Sequence, residues 1–183
     1  MLLLVVGPSG AGKDTLIEAA RRELAGDARV RFVRREITRP REAGGEDHTA
    51  VDADAFARRC AAGAYALHWQ AHGLGYGIPA DIAADLQAGR VVVANVSRGV
   101  VEAAARRFPV RVLAITAPPE LLAQRLGARG REAADDVAAR LARSVVLPKS
   151  VDVVTIVNDG TPEAGAARVL AELRRAMAGV VPG

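Results

Sequence analysis

The stretch LLLVVGPSGAGKDT, from Leu2 to Thr15, decides the fold of this chain. It opens with a short apolar run, typical of a buried strand, and closes on residues that begin a helical pattern. Glycines at positions 7, 10 and 12 allow the backbone between them to curl with its N–H groups pointing inward. The order Gly-x-x-x-x-Gly-Lys between a strand and a helix is the Walker A pattern, which predicts a loop that binds a nucleoside triphosphate.

Lys13 ends this loop and is expected to reach the β- and γ-phosphates as a point charge. The helix that starts there adds the positive end of its dipole. A plain Gly-rich turn before a helix would explain neither Lys13 nor the spacing. The residues expected to bind the triphosphate are Gly7, Pro8, Ser9, Gly10, Ala11, Gly12, Lys13, Asp14 and Thr15.

Asp14 stands where such loops normally carry Ser or Thr, whose hydroxyl binds Mg²⁺. A carboxylate is also a hard oxygen ligand, and next to a triphosphate it is tolerable only with a cation between them. We therefore expect Asp14 to be a Mg²⁺ ligand and ATP–Mg²⁺ to be the cofactor. The alternative is an acidic residue that only stabilises the helix start. Thr15 has a hydroxyl, but the helix turns it away from the usual position.

Length and charge limit the class of protein. A chain of 183 residues suits one domain, residues 1–183, and half of its residues are hydrophobic. The net charge is +4, from 25 basic and 21 acidic residues that are interspersed along the chain. Aromatic residues make up only 3% of the chain, too few for a surface that stacks bases, so we expect no nucleic-acid partner.

The single cysteine, Cys60, excludes an internal disulfide, and its helical spacing from Phe56 indicates a buried thiol. The apolar start of the chain is too short for a signal core, and no apolar run approaches a membrane span. We expect a soluble, cytoplasmic protein that binds small molecules. The sequence leaves its oligomeric state open, with a homodimer among the options.

Short β-branched runs alternate with amphipathic helical patterns, which predicts an α/β fold with a five-stranded parallel sheet flanked by helices. The predicted strands are Leu2–Val6, Val30–Val33, Val91–Asn95, Val110–Thr116 and Val153–Val157. The predicted helices are Lys13–Leu24, Pro79–Gln87, Gly99–Arg107, Pro119–Leu126, Ala134–Val146 and Pro162–Met177. Proline at positions 79, 119 and 162 is placed at helix starts, where a missing N–H costs least.

Two regions break the alternation, and long irregular stretches in a compact domain are usually functional. Residues 34–78 are rich in Gly, His and Arg, and we interpret them as an acceptor-binding insert. Residues 127–143, rich in Arg, are interpreted as a mobile lid. The alternative for each region is an ordinary surface loop.

Several segments beyond the loop resemble the guanylate kinase-like branch of the nucleoside monophosphate kinases. GPSGAGK matches that family's loop, ITRPRE (Ile37–Glu42) its phosphate-binding segment, and GEDH (Gly45–His48) the piece that follows. HWQAHGLGYGIP (His68–Pro79) resembles the segment that closes the acceptor pocket, and VTIVNDG the last strand with the adenine-side loop. The resemblance implies a P-loop kinase with an acceptor-binding insert and a lid.

The acceptor pocket departs from that family in one direction. His68 replaces the Glu that reads guanine, Arg35 replaces a Ser, and His48 replaces a Tyr, while Asn95 and Ser97 stand where acidic residues are usual. A base reader is lost and cationic groups are gained, so a purine acceptor is disfavoured. These features resemble the ribose 1,5-bisphosphate phosphokinase family, which uses ATP to make 5-phosphoribosyl 1-diphosphate (PRPP) and is associated with phosphonate breakdown.

The resemblance also implies roles for individual residues. Arginine forks would bind a phosphate of the acceptor, although a solvated loop paired with Glu36, Glu42 and Glu46 is the alternative. The substrate-binding set is Arg35, Arg39, Arg41, His48, His68 and Tyr76. The candidate catalytic set is Lys13 with the lid residues Arg129 and Arg140, ahead of Arg131 and Arg143. Asn158 and Asp159 fall where the family contacts adenine.

An oxygen of a sugar 1-phosphate is already anionic near neutral pH, so the proposed transfer requires positioning and charge neutralisation rather than a general base. The three histidines lack the spacing of a zinc site. Trp69 is expected to serve packing. Two other functions remain open: a nucleoside monophosphate kinase of different specificity, and a noncatalytic guanylate kinase-like binding module, against which the intact Lys13 argues.

Overall fold

The computed structural model describes residues 1–41, 46–127 and 147–180. The strands in these ranges are β1 (Leu2–Val6), β2 (Val30–Phe32), β3 (Glu36–Ile37), β4 (Thr49–Ala50), β5 (Tyr65–Ala71), β6 (Leu74–Pro79), β7 (Val91–Asn95), β8 (Val110–Thr116) and β9 (Asp152–Val157). The helices are α1 (Lys13–Glu23), α2 (Ala53–Ala61), α3 (Ile82–Gln87), a 3₁₀ turn at Arg98–Val100, α4 (Val101–Ala105), α5 (Pro119–Gly127) and α6 (Pro162–Met177).

The main sheet has the order β2-β7-β1-β8-β9, and all of its strand pairs are parallel. This confirms the predicted five-stranded parallel sheet. β1 lies at its centre, and all five of its residues are buried, because helices cover both faces of the sheet. On one face Leu3 and Val5 pack in a cluster with residues of α1 and α6. On the other face Leu2 and Leu4 pack in a cluster with residues of α3 and α4.

The predicted strands differ from the observed ones by at most one residue at an end, and α6 has the predicted bounds. The prediction that Pro79 starts a helix is wrong. Pro79 ends β6, and α3 begins at Ile82. Pro79 pairs with Tyr65 beside an irregularity in β5, a position where a strand tolerates proline. The predicted helix Ala134–Val146 and most of the proposed lid, residues 127–143, lie outside the described residues.

The predicted insert forms a second sheet of order β4-β3-β6-β5, with α2 against one face. Two glycines of β6 make this packing possible. A Cβ on Gly75 would lie 2.7 Å from the ring of Phe56 on α2, and one on Gly77 would lie 2.3 Å from the ring of Tyr65. The Gly-rich sequence of the insert is therefore a strand that accommodates aromatic rings.

Ion pairs join the main sheet to the segment that follows the insert. Arg31 on β2 contacts the carboxylates of Asp81 and the largely buried Asp85, and Arg90 contacts Asp85 from the other side. These two guanidinium groups lower the pKa of Asp85, while burial acts against the shift. The network ties the start of α3 to the edge strand β2 and so fixes where the insert rejoins the core.

The described helices include none that is long and apolar enough to cross a membrane. Cys60 lies on α2 and is partly rather than fully buried. Desolvation raises the pKa of its thiol, as expected for an unreactive cysteine.

Candidate active site

The phosphate loop connects the end of β1 to the start of α1, as the Walker A pattern predicts. Gly12 precedes the helix with φ 87°, a left-handed conformation that residues with a Cβ rarely adopt. A Cβ on Gly7 would lie 2.0 Å from the carbonyl oxygen of Ile115 on β8. The loop therefore requires glycine at position 12 for its backbone conformation and at position 7 for lack of space.

Lys13 folds back over the loop that precedes it. Its Nζ donates hydrogen bonds to the carbonyl oxygens of Gly7 and Pro8, both at 2.9 Å. These two carbonyls hold the ammonium group at the mouth of the loop, where a phosphate would meet it.

Burial also alters the acidity of this lysine. The pKa of Lys13 is lowered to about 8, mainly because desolvation disfavours the charged form. The positive charges of Arg35 and Arg98 lower it as well, whereas the carboxylates of Asp14 and Glu46 act in the opposite direction. An anion that binds next to Lys13 would therefore stabilise its charged form.

Asp14 is exposed in the cleft, and its Oδ1 accepts a hydrogen bond of 2.7 Å from the side-chain amide of Asn95, at the end of β7. Oδ2 has no donor within the described parts of the chain. No group of three or more His, Cys, Asp or Glu residues among those parts could hold a metal. A Mg²⁺ ion at Asp14 would therefore take most of its other ligands from phosphate and water, which suits this cation.

Asn158 lies under the phosphate loop and is only 5% exposed. Its Nδ2 donates to the carbonyl oxygen of Ala11 at 2.9 Å. A Cβ on Gly12 would lie 2.5 Å from this Nδ2, and one on Gly165 of α6 would lie 2.7 Å from Oδ1. The side chain of Asn158 is thus enclosed between the loop and α6, and its expected contact with adenine stays a prediction. Asp159, by contrast, is exposed and lies 3.5 Å from Arg168.

The phosphate loop faces a cleft of about 430 Å³ that reaches to the second sheet. The second sheet and its flanking loops contribute the acceptor side: Arg35, Arg39, Glu46, Trp69, Ala71, His72, Leu74 and Tyr76. A larger groove of about 710 Å³ runs beside α1 and shares Asp14, Thr15 and Glu46 with the cleft. The smaller cleft is the better candidate site because Lys13 and the loop glycines line it.

Arg39 and Tyr76 line the same cleft as Lys13, and their substrate-binding role stays a prediction. The Nε of Arg39 is buried and has no hydrogen-bond partner within the described ranges. A buried guanidinium N–H without a partner is costly, and an anionic ligand would satisfy it.

Arg35 lines the same cleft, but its guanidinium is already engaged. Nε donates to Glu46 at 2.9 Å, a second nitrogen contacts the other oxygen of Glu46, and NH1 donates to the carbonyl oxygen of Asn95 at 3.0 Å. Arg35 is thus ion-paired with Glu46 in a largely buried position, and its contact with an acceptor phosphate stays a prediction.

His48 is buried to 1% exposure and does not line the cleft. Its Nδ1 lies 2.9 Å from the carbonyl oxygen of Glu46, and its Nε2 lies 3.0 Å from that of Arg39. The ring thus holds together the two chain segments that carry Arg39 and Glu46. In this position His48 supports the two segments, and its expected contact with substrate stays a prediction.

His68 is exposed on the face of the second sheet that carries α2, with its ring 6.4 Å from that of Tyr65. Alternation along β5 directs Trp69 toward the cleft, which it lines, and Trp69 also packs against the core, as expected. The substrate-binding role expected of His68 stays a prediction. The side chain of Arg41 is 70% exposed and lies 4.0 Å from Asp47, outside the cleft. Arg129 and Arg140 lie outside the described residues.

Comparisons with known proteins agree with the fold described above. The family model described as the AAA domain matches residues 2–146. A crystal structure of guanylate kinase from Anaplasma phagocytophilum superposes with a TM-score of 0.68 at 22% identity, covering 97% of this chain and 86% of that one. Identity this low supports the fold alone.

Closer relatives decide the family. A ribose 1,5-bisphosphate phosphokinase PhnN from Acidiphilium cryptum is 53% identical, over 95% of this chain and 92% of the relative. The chain belongs to the ribose 1,5-bisphosphate phosphokinase family. A second PhnN of this family, from Methylobacterium radiotolerans, is 52% identical over 94% of this chain and 97% of its own length. These relatives confirm the family resemblance drawn from the sequence.

Some members of the ribose 1,5-bisphosphate phosphokinase family are longer. The bifunctional ribose 1,5-bisphosphokinase-thymidine phosphorylase of Azorhizobium caulinodans is 50% identical over 94% of this chain. This chain spans only 25% of that relative's length. The match therefore covers only a quarter of the longer protein.

Proposed function

We propose that this chain transfers the terminal phosphoryl group of ATP to the 1-phosphate of ribose 1,5-bisphosphate. An oxygen of the 1-phosphate attacks the γ-phosphorus, and the bond from that phosphorus to the β–γ bridging oxygen breaks. The products are ADP and PRPP. The proposal includes the cytoplasmic location and the link to phosphonate breakdown that the family resemblance implies.

The composition of the cleft is the observation that supports the proposal. The phosphate loop, Lys13 and Arg39 line the cleft together, and the buried Nε of Arg39 lacks a partner among the described residues. An anion-binding loop facing a second cationic group suits the transfer of a phosphoryl group to a phosphorylated acceptor. The names of the relatives identify that acceptor as ribose 1,5-bisphosphate rather than a nucleotide.

Within this proposal the residues of the cleft have separate tasks. Lys13 exchanges its contacts with loop carbonyls for the β- and γ-phosphates, and Arg39 binds a phosphate of the acceptor. Tyr76 donates its hydroxyl to the same acceptor. Mg²⁺, held through Asp14, would supply charge neutralisation between the two substrates. Arg129 and Arg140 are proposed to contact the transferring group, as the family resemblance implies.

An ADP-release assay with matched acceptors tests the proposal. Ribose 1,5-bisphosphate should be turned over well above GMP, AMP and dTMP, and Lys13→Met should abolish turnover. If GMP were used as well as the sugar, the chain would be a nucleoside monophosphate kinase instead. If no acceptor released ADP and calorimetry with Mg²⁺ detected no ATP binding, the noncatalytic module would be favoured.

A further inference from the structure

Two aromatic rings form a platform on the acceptor side of the cleft. Trp69 on β5 and Tyr76 on β6 are direct cross-strand neighbours, with ring centroids 5.2 Å apart and planes only 6° from parallel. Both residues line the cleft. Parallel rings at this separation are stacked on each other with an offset, so part of a ring face is left uncovered by the partner ring, and a nucleobase needs such a face for stacking.

That surface is covered by the guanidinium of Arg35. Its Cζ lies 5.8 Å from the ring centroid of Trp69 and 5.3 Å from that of Tyr76. These distances are typical of a cation–π contact, which favours the arginine staying in place.

Glu46 and Asn95 hold Arg35 over the platform. The two oxygens of Glu46 bind two guanidinium nitrogens, and the carbonyl oxygen of Asn95 accepts from the third. The side chains of Arg35 and Glu46 are only 11% and 16% exposed. Moving Arg35 aside would leave the Glu46 carboxylate largely buried and unpaired, which is strongly unfavourable.

We propose that Arg35 is a specificity-determining residue that excludes nucleobases from the Trp69–Tyr76 platform. A base would have to displace Arg35 and break its pair with Glu46, whereas a sugar phosphate without a base needs neither. The inference rests on the proposed function only for the identity of the natural acceptor. It gives Arg35 a role different from the phosphate fork expected from the sequence.

Intrinsic fluorescence provides a direct test, because Trp69 is the only tryptophan in the chain. The donor site is first saturated with a non-hydrolysable ATP analogue and Mg²⁺, so that added GMP is left with the acceptor side. Ribose 5-phosphate, which has no aromatic ring to stack, serves as the base-free probe. The quantity measured is the saturable quenching of Trp69 by each probe.

GMP should quench the Trp69 fluorescence of Arg35→Ala saturably. At the same concentrations it should leave the Trp69 fluorescence of the wild-type protein unchanged. The apparent affinity for GMP should rise about tenfold or more in the variant, since stacking contributes roughly 1–3 kcal/mol per base. Arg34→Ala is the matched control, because Arg34 pairs with Asp47 and does not line the cleft. It should behave like wild type.

Glu46→Gln is the second variant, which keeps the arginine but weakens the pair that holds it. It should give GMP quenching between those of wild type and Arg35→Ala. Quenching of the wild type by GMP, or folded Arg35→Ala and Glu46→Gln proteins that GMP leaves unquenched, would overturn the inference. The fluorescence test requires no turnover, so its outcome is independent of the proposed function. The proposed function fails if wild-type protein does not phosphorylate ribose 1,5-bisphosphate.

Discussion

Asn95 donates a hydrogen bond of 2.7 Å from its side chain to Asp14, while its carbonyl oxygen accepts one of 3.0 Å from Arg35. One residue at the end of β7 thus connects the phosphate loop to the acceptor wall. The parallel arrangement of β1 and β7 makes this possible, because both strands end at the same edge of the sheet. The unusual Asp14 is part of this connection and not an isolated surface charge.

We predict that Asp14→Ala lowers the Mg²⁺-dependent turnover, whereas Asp14→Ser partly keeps it. The carboxylate has one oxygen on Asn95 and the other available to a cation, and a serine hydroxyl supplies a shorter oxygen ligand. Titration of the initial rate with Mg²⁺ at fixed ATP measures the effect. An unchanged Mg²⁺ dependence in both variants would leave Asp14 with only a helix-start role.

The lowered pKa of Lys13 predicts how ATP affinity depends on pH. Free protein loses the Lys13 proton as the pH rises through about 8. Bound phosphates favour the charged ammonium and raise this pKa again, so binding above pH 8 takes up a proton. Affinity should therefore fall by up to about tenfold per pH unit above the pKa of the free protein.

Calorimetry in buffers of different ionisation enthalpy measures that proton uptake directly. Lys13→Met is the matched variant: it should bind ATP more weakly, with much less uptake on the alkaline side of pH 8. Equal proton uptake in wild type and Lys13→Met would assign the titration to another group.

Asn158 leads to a prediction that separates loop support from base recognition. Asn158→Ala removes the bond to Ala11 and leaves space beside Gly165, so unfolding should become easier by about 1–3 kcal/mol. Because the side chain contacts the loop, ATP and inorganic triphosphate should lose affinity by the same factor. Arg174→Ala, at an exposed position on α6, is the control and should change neither measurement.

A loss confined to ATP, with inorganic triphosphate unaffected, would restore the adenine contact expected from the sequence. Denaturant unfolding and competition binding of the two ligands decide between the two roles.

The main sheet could be predicted from the sequence because its signals are local. LLLVV and VVVAN are short apolar runs, and a run of this kind is buried wherever helices cover both faces of a sheet. The phosphate loop was predictable for the same reason, since its glycines, Lys13 and flanking elements are contiguous. The acceptor side could not be predicted with equal success.

There the outcome depends on which face of a strand a residue occupies. The pairing of β5 and β6 shifts register between Tyr65 and Leu67, which fixes the faces of the residues that follow. The sequence alone does not reveal such a shift, so it does not show that Trp69 rather than His68 lines the cleft. The contacts of Asn158 could not be predicted either, because its partners, the loop and α6, are distant in sequence.

Arg39 and Arg41 offer a paired test of the acceptor wall. Arg39→Ala removes a guanidinium that lines the cleft, so kcat/KM for ribose 1,5-bisphosphate should fall about 10- to 100-fold, the value of a charge-assisted hydrogen bond. Arg41→Ala should have little effect, since that side chain is exposed outside the cleft. Steady-state kinetics at saturating ATP compares them. Equal losses in both variants would show that Arg41 also contacts the acceptor.

Gly77 tests the packing that supports the aromatic platform. Its pro-Cβ position lies 2.3 Å from the Tyr65 ring, so Gly77→Ala must displace that ring and should destabilise the fold by about 1–3 kcal/mol. Gly160→Ala is the control, because a Cβ there meets only Ala164 at an ordinary 3.9 Å. Urea unfolding followed by Trp69 fluorescence measures both variants, and Gly77→Ala should also lose affinity for the acceptor through the adjacent Tyr76. If Gly77→Ala were as stable as Gly160→Ala, contact between β6 and Tyr65 would not determine how the second sheet packs.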